Sequence, residues 1–135
     1  MNLRFVSIFL ITFFLSAIAT AEDVLDHRSY SLELTQSNNA KVPKILETIS
    51  FIGGQMDSEH FGKEGFRKAN YNAVLSGTIT FTVSMQNRKE GLIDWTGLVR
   101  GRNIEGTAVV TETIENKDKQ EETVTTEYQF TGSQK

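Results

Sequence analysis

From Arg28 onward the chain alternates apolar and polar residues with a period of two, the pattern of strands with one buried face. In Thr78–Met85, the side chains of Ile79, Phe81, Val83 and Met85 share one face, and hydroxyl residues fill the other. No stretch carries the 3.6-residue apolar period of an amphipathic helix. Eight segments read as strands: 28–36, 45–52, 55–59, 69–75, 78–86, 92–100, 103–113 and 122–131. Residues 55–66 leave a short strand for a glycine-punctuated loop, and 115–122 read as a charged, solvated hairpin tip.

The connectors carry turn chemistry that sets register. Gly53-Gly54 suits a two-residue hairpin and places Ile52 opposite Gln55 and Phe51 opposite Met56. A two-residue turn at Gly101-Arg102 pairs Val99 with Ile104, Gly97 with Gly106, Trp95 with Ala108 and Ile93 with Val110. At the third hairpin, a two-residue turn at Ser76-Gly77 would set Tyr71 against Thr82, inward against outward. A three-residue loop, Leu75-Ser76-Gly77, restores the match, with Ala73 opposite Ile79, Tyr71 opposite Phe81 and Ala69 opposite Val83. A one-residue slip moves every side chain to the wrong face. These features predict an all-β fold: an antiparallel up-and-down meander of about eight strands closing into a small barrel, which removes exposed edges. A two-layer β-sandwich is the alternative.

The N-terminus reads differently. Arg4 precedes an apolar run from Phe5 to Ile18, and Ala19-Thr20-Ala21 offers a small-x-small cleavage pattern. The run is short for a membrane span, so residues 1–21 read as a signal peptide and 22–135 as a single β-barrel domain. The expected location is the periplasm or the exterior, with no stable membrane anchor after cleavage. The mature chain would keep 13 basic and 17 acidic side chains, a formal charge of −4. Nothing in that balance favours nucleic acid. The chain has no cysteine, so packing must supply the stability that disulfides give many small exported domains.

Leu25-Asp26, Arg28-Ser29-Tyr30, Ile49-Ser50-Phe51, Ser58, Phe61-Gly62, Tyr71-Asn72-Ala73, Gly91, Trp95–Thr107 and Glu127–Gly132 together carry a resemblance. The chain resembles a largely uncharacterised family of small exported bacterial proteins with a lipocalin-like β-barrel. The resemblance implies architecture; no reaction comes with it. The chain departs from the family pattern at His27, where glycine is expected, and at His60, where cysteine is expected. A redox role for that cysteine cannot transfer.

Candidate chemistry is sparse. Asp57, Glu59 and His60 cluster, with His27 the only other imidazole, but they form no spaced metal-ligand motif. No nucleophile-elbow sequence occurs, so no catalytic residue, metal or cofactor is assigned. An eight-stranded barrel can enclose one small ligand. Its inward candidates are Tyr30, Glu47, Phe51, Tyr71, Phe81, Trp95, Tyr128 and Phe130, with Gly97 facing Gly106 to leave room beside the rings. Glu47 shares the face of Ile45, Ile49 and Phe51, which suits a polar pocket mouth. The expected function is therefore a non-catalytic barrel that holds a small apolar or amphipathic molecule. The alternative is an interaction or inhibitor module that meets a protein partner through surface loops, above all 55–66. Leu92 and Leu98 lie opposite Trp95 and would form its apolar patch.

Overall fold

Alternating residues can hide one whole face of a sheet without leaving an edge when the sheet rolls up and its last strand meets its first. The computed structural model describes residues 24–135 and takes this form; the signal-peptide reading of 1–21 lies outside the described residues. The strands are β1 (Arg28–Gln36), β2 (Ile45–Ile52), β3 (Gln55–Ser58), β4 (Ala69–Ser76), β5 (Thr78–Gln86), β6 (Leu92–Arg100), β7 (Asn103–Glu115) and β8 (Glu121–Gln134). They pair antiparallel in chain order, and β8 pairs with β1 to close the barrel. The fold is a barrel and not a sandwich.

Two of the three expected hairpin registers hold residue for residue. Phe51 faces Met56 and Ile52 faces Gln55. Across β6 and β7, Val99 meets Ile104, Gly97 meets Gly106, Trp95 meets Ala108 and Ile93 meets Val110. The β4–β5 register differs from expectation: Tyr71 pairs with Val83, Ala73 with Phe81 and Leu75 with Ile79. Its loop sits one residue further along, centred on Gly77 at φ +72°. Both registers keep odd-numbered residues inside, so inside–outside parity could not separate them.

The segment expected to be a loop after β3 instead contains a short helix, α1 (Glu59–Lys63). Ser58 ends β3 and caps the helix, its Oγ accepting the Phe61 N–H at 3.1 Å. A capping serine followed by an acidic first-turn residue is a helix start, but five residues are too few to display a period. β7 and β8 run past their expected ends, so their hairpin extends to the pairs Ile114–Glu122 and Glu115–Glu121.

Two groups of edge-to-face aromatic rings fill the interior. Phe51 packs edge-to-face with Tyr30, Tyr71 and Phe81 at ring-centroid distances of 6.1, 4.9 and 5.2 Å. Trp95 meets Phe61 at 5.9 Å and Phe130 at 5.5 Å. Edge-to-face geometry places a ring's positive rim against its neighbour's negative face. Glycines make space for these rings. A Cβ on Gly97 would lie 2.2 Å from the Phe81 ring, and one on Gly106 would lie 2.0 Å from the Thr96 carbonyl oxygen.

Two stability predictions follow from this packing. Gly97→Val should cost roughly 2–3 kcal/mol in urea denaturation, because an overpacked ring must move. Gly106→Val should cost more, since the obstacle there is backbone that cannot rotate away. His27 adopts φ +68°, a left-handed conformation that costs most residues about 1 kcal/mol and glycine little. His27→Gly should therefore raise the denaturation midpoint.

Candidate functional site

The first candidate is the barrel interior, where the structure places Tyr30, Phe51, Tyr71, Phe81, Trp95 and Phe130, none more than 2% exposed. Tyr30, Tyr71 and Phe81 pack on Phe51, and Trp95 packs on Phe130; the room expected beside Gly97 and Gly106 is taken by the rings of Phe81 and Phe130. Tyr128 is half-buried near the far end, 6.4 Å from the Phe61 ring. Burial raises its phenol pKa, and the nearby charges of Glu64 and Glu112 add to the effect.

Both ends are closed. At the end carrying the β2–β3 turn, fully buried Leu25 covers the core. Asp26 then clasps the turn: Oδ2 accepts the Gly53 N–H at 3.0 Å, and Oδ1 accepts the Gly54 N–H at 3.1 Å and the Tyr71 hydroxyl at 3.0 Å. The Gly54 amide is the main cause of a lowered Asp26 pKa; partial desolvation opposes it, and Tyr71, Gly53 and His27 reinforce it. At the other end α1 inserts Phe61, which packs on Phe66 and Trp95.

Glu47 does point inward and is 4% exposed, yet its carboxylate serves the protein. Oε2 accepts the Ser58 hydroxyl at 2.8 Å, while Oε1 accepts the backbone N–H groups of His60 and Thr48, each at 2.9 Å. A carboxylate at a helix start satisfies free amides. This anion anchors α1 to β2. Two buried polar atoms have no partner among the described residues: the Tyr30 hydroxyl and Trp95 Nε1.

The second candidate is outside. A groove of about 590 Å³ runs between α1 and the outer face of β8, β1 and β2, lined in part by Leu46, Thr48, Glu59, His60, Lys63 and Thr131. Leu46 is 75% exposed. His60 Nε2 lies 3.7 Å from Glu64 Oε1. The sequence did signal this place, because Leu46-Glu47 reverses the local polarity, with the apolar residue outward and the acid inward. Leu92 and Leu98, expected to form the apolar patch, are both partly covered. The large exposed apolar residues among those described are Leu46, Ile52, Val74, Leu75, Ile114 and Val124. Asp57, Glu59, His60 and His27 do not converge, and no group of three or more potential metal ligands forms among the described residues.

No family model matches this chain, and no curated protein or solved structure is significantly similar to it.

Removing the cap hydroxyl in Ser58→Ala would leave the buried Glu47 carboxylate and the Phe61 amide each short of a partner, costing roughly 1–3 kcal/mol. Chemical denaturation measures it. Asp26 has a folded pKa below its unfolded value, so its stabilising effect is complete above about pH 4. That contribution fades as pH falls through the lowered folded pKa. Asp26→Asn should flatten the acid limb of the stability–pH curve, and an unchanged limb would show that the clasp contributes nothing.

Proposed function

We propose that this protein is an exported, non-catalytic binding module that meets a protein partner along the groove beside α1. The barrel interior then serves as its structural core. The observation that carries this reading is where the space lies: rings fill the interior beside Gly97 and Gly106, whereas the groove is open and holds Leu46 in solvent. An exposed apolar side chain within a polar rim has the composition of a contact surface. Glu59, His60 and Lys63 give the groove charges of both signs, which suits a polypeptide better than a uniformly charged polymer. Export is supported by the apolar run that ends in Ala19-Thr20-Ala21.

One observation favours a second reading. The unpartnered Tyr30 hydroxyl and Trp95 N–H would be satisfied by the polar group of a small amphipathic molecule held inside the barrel, since buried polar atoms normally have partners. Some side chains would have to shift to admit it.

Native mass spectrometry of the protein isolated from its own cells separates the two. The partner reading expects a protein–protein complex that Leu46→Asp abolishes, with Trp95 fluorescence unmoved by a panel of fatty acids and aromatic probes. A bound small molecule and a shift in Trp95 emission would replace it with the second reading.

A further inference from the structure

The barrel is closed, but its wall has one weak seam. β3 pairs with β4 at just two positions, Gln55–Asn70 and Met56–Ala69, whereas β4 continues to Ser76. The Tyr71 N–H donates to the Gly54 carbonyl at 3.2 Å, which fixes the direction of the backbone beyond it. In an antiparallel ladder the hydrogen-bonding groups of successive residues point to opposite sides. Tyr71, Ala73 and Leu75 therefore turn their N–H and C=O groups toward the β3 side, and Asn72 and Val74 turn theirs toward β5. Past the β2–β3 turn, Ala73 and Leu75 have no strand beside them among the described residues.

Exposed strand edges are usually protected by lysine, proline or a bulge. This one is not. Ala69–Asn87 contains no Asp, Glu, Lys, Arg or Pro. Val74 and Leu75 are 62% and 53% exposed, and Ile52 at the adjacent turn is 63% exposed.

We propose that this edge pairs with the same edge of a second copy, forming a two-fold symmetric dimer through β4. The match is self-complementary. With Val74 of each copy on the symmetry axis, Ala73 of one copy faces Leu75 of the other, and the reverse. The N–H and C=O groups of those two residues, unpaired among the described residues, then satisfy one another, and Tyr71 keeps its bond to Gly54. Charge selects the occupant. A neutral edge offers nothing to attract an acidic or basic segment, and nothing repels an identical edge, although the mature chain carries a formal charge of −4. Apolar Val74 meets its counterpart on the outer face, where directly opposed residues stand close. The proposal rests on the backbone edge alone and is independent of the groove beside α1.

The absence of cysteine makes a clean test possible. In the proposed register Val74→Cys sets two thiols in a non-hydrogen-bonded cross-strand pair, near disulfide distance. Mild oxidation should give a covalent dimer at least tenfold faster than for Asn39→Cys, placed in the exposed β1–β2 loop. Sedimentation of the unmodified protein should show a concentration-dependent monomer–dimer equilibrium. Val74→Lys, which sets like charges on the axis, should weaken it at least tenfold. Ala73→Pro removes an edge N–H that the barrel does not use, and should abolish pairing with the circular dichroism unchanged. Should that variant misfold, Val74→Lys still decides. A strict monomer at all concentrations, or Val74→Cys cross-linking no faster than the control, would overturn the proposal.

Discussion

The interior of a small closed sheet must be filled by alternate residues of every strand, and everything else in this protein follows from how that is done. Bulky rings provide the volume, and the strands facing them give way. Phe81 lies where a side chain at Gly97 would begin, and Phe130 lies against Gly106. Gly132 permits the same close approach between β8 and β1, where a Cβ would meet the Ser31 carbonyl oxygen at 2.0 Å. Glycine within a strand often marks such a bend or close contact. Here it lets eight strands curl tightly around an edge-to-face aromatic stack without a disulfide.

Closure of the two ends uses different physics. At one end a carboxylate gathers backbone amides: Asp26 holds the Gly53-Gly54 turn and the Tyr71 hydroxyl, tying the segment before β1 to the rim. At the other end burial dominates, with Phe61 carried inward on α1 to meet Trp95 and Phe66. Glu47 links this plug to the wall, because the same carboxylate that bonds the capping Ser58 also accepts the His60 amide. The barrel is thus plugged at both ends and packed between them, and its open groove lies outside, beside α1.

That shift changes the meaning of individual residues. An inward acid on β2 suggests a pocket mouth when read alone, yet Glu47 is the anchor of a helix start. Its neighbour Leu46, reversed in polarity, becomes the exposed apolar side chain of the outer groove. Likewise the uncharged run through β4 and β5 reads as strand-forming sequence, while its place beside the short β3 leaves Ala73 and Leu75 with no strand paired on that side among the described residues.

The period-two pattern by itself determined the all-β class, seven of the eight strand starts, and the inward set from Tyr30 to Phe130, while the pairing of β8 with β1 decided barrel over sandwich. It could do so because inside–outside alternation is a local property of extended backbone, and at Gly53-Gly54 and Gly101-Arg102 two-residue turn chemistry and parity agreed on one register. Three further things needed the tertiary structure. The two-residue difference in β4–β5 register preserves parity and so leaves no trace in the pattern. α1 is one turn long, stabilised by Ser58, Glu47 and the core around Phe61 rather than by its own periodicity. Whether the centre of the barrel is open or filled depends on how far each ring reaches across it, which is set by strand curvature at Gly97, Gly106 and Gly132 and not by residue type.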